Sequence, residues 1–233
     1  MNFDPAVFGR SFHHFVQQEY SLFGIPFGVS LHIATLILLL LVFRYGNRYR
    51  KLFSIYFAGN WLFLFGYWGI YASIYWYKIG ASYLLVYAAT PVLLGLIVYR
   101  WFQEIVRPSI DLDFRDVKRY RWVALLFLVW GFWYPGYVYG QGFNFNAGDL
   151  LYSYYGLMPC PTTMVVLSLF TLKFPAGNKH LYTLMTVYAL LIGTASVLSG
   201  WLPDLPFVAL GIWALFLAVR SKSTYPVSLK KSI

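Results

Sequence analysis

Charge is what this chain has least of. Only 11% of its 233 residues are Asp, Glu, Lys or Arg, where a water-soluble domain carries about 25%. The acidic side is the poorer, with 8 Asp and Glu against 18 Lys and Arg. Cysteine occurs once, at Cys160, which excludes an intramolecular disulfide and leaves the redox compartment unread. No H-E-x-x-H, G-x-S-x-G, P-loop or G-x-G-x-x-G pattern is present, and each of those carries a specific catalytic or phosphate-binding geometry. No period of about 20–50 residues marks a repeat protein. The first residues lack a basic n-region and an A-x-A site, so no cleaved signal peptide is expected.

Apolar residues fill the space that charge leaves: 60% of the chain is hydrophobic and 22% aromatic. A spanning helix needs about 20 predominantly apolar residues. Segments of that kind fall at about 22–43, 52–77, 81–102, 121–140, 150–173, 181–201 and 205–221, the second long enough to require tilt. The expected fold class is all-α: a polytopic membrane helix bundle of seven transmembrane helices.

The basic residues then set its direction. Arg44, Arg48, Arg50 and Lys51 follow span one. Arg100, Arg107, Arg115, Lys118, Arg119 and Arg121 surround the loop between spans three and four. Lys173 and Lys179 separate spans five and six, and Arg220, Lys222, Lys230 and Lys231 end the chain. All four groups fall on one side, leaving Arg10 and Lys78 on the other. The positive-inside rule places the N-terminus outside and the C-terminus in the cytoplasm, in a bacterial cytoplasmic (inner) membrane. The net charge of +10 thus reads as membrane orientation: the lipid bilayer is a partner and nucleic acid is not.

Three regions are expected. Residues 1–20 form an outside interfacial helix, capped by Asp4, with Pro5 in its first turn and Phe8, Phe12 and Phe15 on one face. Residues 21–221 form the bundle, and 222–233 a basic cytoplasmic tail. Aromatic residues at span ends form belts; a flat-ring ligand such as a quinone or carotenoid would use the same residue types. Ala189, Gly193, Ser196 and Gly200 form a stripe of small residues suited to close helix packing. Pro91 and Pro135 are expected to kink spans three and four.

Span five departs from this plan. It reads Gly148-Asp149-Leu-Leu-Tyr-Ser-Tyr-Tyr-Gly156-Leu-Met158-Pro159-Cys160-Pro161-Thr162-Thr163-Met164 and then runs apolar to Lys173. Proline lacks an N–H and restricts the residue before it, so the helix is expected to break at Cys160-Pro161. The remaining helix, 161–173, is about 20 Å long, short of the roughly 30 Å hydrocarbon layer. The break therefore falls inside the membrane, where irregular backbone must lie against protein or a water-filled cavity. Met158, Cys160 and Met164 are soft donors suited to an ion such as Cu(I), and the helix N-terminus would favour a thiolate. A buried, inert cysteine with methionines filling gaps accounts for the same residues. His32 is the ionisable residue well inside a span, at a depth comparable with Cys160, and Asn60, Thr90 and Thr162 are its expected partners. The candidate ligand-binding set is Met158, Cys160, Thr162, Met164, His32 and Asn60. The ligand classes are a soft metal ion, a bound lipid or a flat-ring hydrophobic molecule.

Four pieces of this chain resemble a bacterial family of small multi-pass membrane proteins of uncharacterised function that carry a Cys-Pro-Thr motif. They are Tyr134-Pro135-Gly136, the run from Gly156 to Thr163, Leu191-Ile192-Gly193, and Leu202-Pro203-Asp204-Leu205. Where that family often has a histidine after a tyrosine in span two, Tyr71 is followed by Ala72. The resemblance implies an inner-membrane protein and brings no catalytic residue with it.

No catalytic role is expected, because the span interiors offer no carboxylate pair for acid–base work. A retinal protein would need a lysine in the last span, and 205–221 has none. Two readings remain. The first is an accessory or scaffold subunit, or hydrophobic-ligand-binding component, of a membrane complex with other membrane subunits as partners. The second is a permease or channel for a small neutral solute or soft metal ion.

Overall fold

The computed structural model describes residues 5–78, 84–138, 141–175 and 177–223 and is predominantly helical. Helix α1 (Pro5–Tyr45) bends at Gly24, whose φ of 73° and ψ of 161° interrupt the helical backbone. Only glycine adopts such angles cheaply, and Pro26 removes a further N–H just beyond. A 3₁₀ turn, Gly46–Tyr49, reverses the chain into α2 (Arg50–Leu64). A π-helical stretch, Phe65–Tyr71, then leads into α3 (Ala72–Lys78). Facing partners run in opposite order: Thr35 meets Tyr56, Phe23 meets Phe63 and Phe15 meets Tyr75. The two legs are therefore an antiparallel hairpin.

Helix α4 (Leu84–Val106) stays helical through Pro91. A 3₁₀ turn, Arg119–Val123, opens α5 (Ala124–Trp133), which stops at Tyr134 in a left-handed conformation (φ 36°). Pro135 thus follows the end of this helix instead of kinking it. Strands β1 (Gly136–Val138) and β2 (Gly142–Asn144) pair antiparallel, Gly136 opposite Asn144. The short α6 (Asp149–Tyr152) precedes an irregular stretch and then α7 (Pro159–Lys173). Helix α8 (Lys179–Leu198), a 3₁₀ turn (Leu202–Asp204) and α9 (Leu205–Ser223) complete the described chain.

Helix α7 is the axis of the bundle, with 14 of its 15 residues buried. Two glycines set how closely its neighbours pack. A Cβ on Gly131 of α5 would stand 2.7 Å from the Met164 Cβ and 2.8 Å from the Pro161 carbonyl oxygen. A Cβ on Gly193 of α8 would stand 2.9 Å from a ring carbon of Phe207 on α9. The small-residue stripe of α8 thus serves helix packing at that position.

The outer faces are apolar too. Leu40 on α1, Val92 on α4, Leu126 on α5, Leu198 on α8 and Val219 on α9 are all more than 60% exposed. Water-soluble monomers rarely present such continuous apolar surface. Three described stretches are long and apolar enough to cross a membrane: Ser21–Lys78, Lys179–Leu198 and Leu202–Ser221. That is fewer than the seven expected, partly for physical reasons. The first stretch is itself the two-legged hairpin. The continuous helices α5 and α7 have 10 and 15 residues, or about 15 and 22 Å, too short alone for a layer of about 30 Å.

The basic loops share one end of the bundle. Asp111 accepts a bond from Asn47 (3.0 Å) and pairs with Lys173 (3.0 Å). Arg121 donates to the carbonyls of Leu172 and Phe174, and Arg220 lines a cleft with Lys118 and Arg121. Burial alone would raise the Asp111 pKa. Bonds from the Asp113 N–H, Asn47 and Lys173 outweigh it and hold this carboxyl below its usual range. Lys78, at the end of α3, lies toward the opposite end, where Phe15 packs against Tyr75.

Residues 1–20, expected as an interfacial helix, fall from Pro5 onward within the first arm of α1. Phe15 there is fully buried against five rings of the α2–α3 leg: Tyr67, Trp68, Tyr71, Tyr75 and Trp76. Asp4, the side chains of Phe8 and Phe12, and the tail from 224 onward lie outside the described residues.

Candidate functional site

The helix break expected at Cys160-Pro161 is present, and it lies slightly upstream of the expected position. Helix α7 begins at Pro159, not Pro161, with Met158 extended (φ −109°, ψ 143°) as its N-cap. Both prolines fall in the first turn, where a missing N–H costs no intrahelical bond. Of the first three helical residues only Cys160 has an amide hydrogen, so the expected array of free donors is reduced to one. The irregular stretch 153–158 turns through Gly156, with φ 78°.

Side chains from α1, α2, the π-helical stretch and α7 hold this stretch. Asn60 of α2 donates to the Gly156 carbonyl (2.8 Å). Trp68, from the π-helical stretch, donates to the Leu157 carbonyl (2.8 Å) and lies 3.3 Å from Glu19 of α1. Thr162 accepts from the Gly156 N–H (3.0 Å) and donates to the Met158 carbonyl (2.8 Å). His32 of α1 faces the Gly28 carbonyl through Nδ1 (2.9 Å). Its Nε2 faces the Phe132 carbonyl (3.2 Å) and the Ser153 hydroxyl (3.1 Å). The expected partners of His32 are therefore replaced: Asn60, Thr90 and Thr162 all bond elsewhere or stand apart from it. Beside it, Thr35 links the hydroxyls of Tyr56 (2.6 Å) and Tyr155 (2.9 Å).

A narrow cavity opens next to the start of α7, lined by Trp68, Trp76, Thr90, Met158, Pro159, Cys160, Tyr188, Ile192, Ala195 and Ser196. Its volume of about 20 Å³ accommodates about one water molecule. Met158 and Cys160 line it, whereas Met164 faces Gly131 on α5 and is not among the lining residues. The structure thus brings two of the three soft donors to one cavity. His32, Asn60 and Thr162 belong to the support of 153–158 instead. Among the described residues no group of three His, Cys, Asp or Glu side chains is placed to hold a metal.

Sequence reasoning missed the acidic side of this site. Asp204 is fully buried, accepts from the Tyr134 hydroxyl (2.6 Å), and Cys160 and Ser196 lie against its carboxyl group. Trp201 donates to the same Tyr134 oxygen (2.7 Å). Among the described residues the second carboxyl oxygen, Oδ2, has no partner with hydrogen-bond geometry, and neither has Oε2 of the buried Glu19. Glu104 is buried as well. His32 is thus one of several enclosed ionisable side chains. In the sequence Asp204 stands out only as part of the Leu202–Leu205 piece of the resemblance, with no role attached to it.

The four sequence pieces of the Cys-Pro-Thr resemblance converge here. Ile192 and Cys160 line the cavity, Asp204 lies on Cys160, and Tyr134 holds Asp204. No family model, no curated protein and no solved structure matches this chain.

Proposed function

We propose that this chain is a seven-span membrane protein with its basic end in the cytoplasm. Its interrupted fifth span serves as a fixed non-catalytic core, in a scaffold or ligand-binding subunit of a membrane complex. The passes between the two ends support the span count. The described chain runs from one end to the other seven times, in α1, α2–α3, α4, α5, α6–α7, α8 and α9. Kinship with the Cys-Pro-Thr family is part of the same proposal.

The observation that carries the reading is how the break is supported. Asn60, Trp68 and Thr162 bond the backbone of 156–158, so the irregular segment is tied to the bundle without a ligand. Backbone donors and acceptors at transport sites remain available to the substrate, and those bonded here do not. The cavity admits about one water molecule, which favours a packed core over an open conduction path.

Two measurements test this. Native mass spectrometry from mild detergent is expected to show a copurifying membrane subunit or hydrophobic ligand; a solitary, ligand-free monomer would contradict it. For orientation, Gln141→Cys is expected to react with an impermeant maleimide on intact cells, and Arg115→Cys only after disruption. The reverse pattern would refute the assignment.

A further inference from the structure

We propose that the cleft between the C-terminal turns of α4 and the start of α8 binds a phospholipid with a net-negative headgroup. The site rests on the membrane reading above and deepens it. The cleft lies at the basic end, is open to the outside and has a volume of about 850 Å³, within the range of about 300–1,000 Å³ for small-molecule sites.

Three cations line it: Arg100, Arg107 and Lys179. None has an acidic partner among the described residues, where the ion pairs are Arg115–Asp113 and Lys173–Asp111. Glu104, on the same helix between Arg100 and Arg107, is buried and engaged elsewhere. It accepts from the Ser109 N–H and hydroxyl, from the Ile110 N–H (2.6 Å) and from Asn178 Nδ2 (2.9 Å). Arg100 donates to the neutral Gln103 Oε1 (2.7 Å), so among the described residues no carboxyl group pairs with any of the three cations. The start of α8 adds partial positive charge. Asn178 caps the Leu181 N–H and Tyr182 makes the first intrahelical bond, so the amides of Lys179 and His180 lie at the positive helix end.

The second wall identifies the ligand as lipid. Val106, Tyr99 and Phe102 line the same cleft and are 76%, 56% and 47% exposed. The outward row of α4 continues through Leu96 to Val92, both exposed, at helical spacings that keep one face. A cationic cup at one end of an apolar stripe matches a phosphodiester at headgroup depth with an acyl chain running toward the membrane centre. Free phosphate would use the cup and leave the stripe bare.

The test uses delipidated full-length protein in detergent. Phosphatidylglycerol or phosphatidylcholine is added back, and retained lipid is counted by native mass spectrometry. Wild type is expected to retain phosphatidylglycerol preferentially. Arg100→Gln/Arg107→Gln/Lys179→Gln is expected to bind it about a hundredfold more weakly, while Arg115→Gln at the neighbouring loop behaves as wild type. Arg107→Gln alone, on an exposed residue, should lose about fivefold if the triple variant does not fold. Equal retention of the two lipids, no loss in either variant, or full displacement by equimolar inorganic phosphate would overturn the proposal. Alkaline carbonate extraction separates the two claims. Protein that stays in the membrane without headgroup preference refutes the lipid site alone, and release into the supernatant refutes the membrane reading.

Discussion

Gly131→Leu is expected to prevent the protein from folding, and Gly131→Ala to lower its stability by about 1–3 kcal/mol. The reason is local and geometric. The first carbon of any side chain at this position would meet the Met164 Cβ at 2.7 Å and the Pro161 carbonyl oxygen at 2.8 Å. Neither atom belongs to the flexible end of a side chain, so relief requires α5 to move away from α7. That movement would disturb the start of α7, because Pro161 lies in its first turn. It would also pull on Tyr134, the residue after α5, and so on its bond to Asp204. Thermal unfolding in detergent, followed by tryptophan fluorescence, measures the effect. An alanine variant that melts with wild type would show that the two helices are not in backbone contact.

The second large effect is expected where side chains hold the irregular stretch. Asn60→Leu and Trp68→Phe each leave a buried carbonyl, of Gly156 or Leu157, without its donor. Each should cost about 1–3 kcal/mol. Leucine is close to asparagine in size, so the first loss reports mainly on the donor, whereas Trp68→Phe, at a buried ring, also leaves a small cavity. Trp68→Phe also removes the N–H facing Glu19 and should be the more damaging of the two. The two carbonyls are adjacent in the chain, so the double variant is expected to deviate from additivity. Unchanged melting of both single variants would mean that the segment is not held this way. Strict additivity would mean that the two donors act independently.

These residues also show what a sequence can reveal. The break was legible in Pro159-Cys160-Pro161 because a missing N–H is a property of proline wherever it sits. The start of α7 was misplaced by two residues because a first turn tolerates proline at several positions, and local chemistry does not choose among them. His32 and Asn60 stood out as polar residues in apolar runs. Their partners, the carbonyls of Gly28, Phe132 and Gly156, are peptide groups that any residue supplies, so no sequence pattern names them. Trp68 gave no signal, being one of 9 tryptophans in an aromatic-rich chain. Its role arises from the π-helical turn that carries it. Asp204 was hidden by its position. A carboxyl group preceding an apolar helix usually faces water, whereas packing of α5 and α7 encloses this one against Tyr134 and Cys160.

The lone cysteine is a built-in probe of the central claim, that the chain around the start of α7 is enclosed within the bundle. Cys160 is 3% exposed, and its cavity holds about one water molecule. Labelling of the unmodified protein by N-ethylmaleimide, in membranes and after unfolding in detergent, compares the two states directly. The native rate is expected to be slower by about a hundredfold or more, because reaction must await local opening. Native labelling as fast as in the unfolded chain, or rapid modification by an impermeant reagent, would contradict the enclosed break and the function built on it.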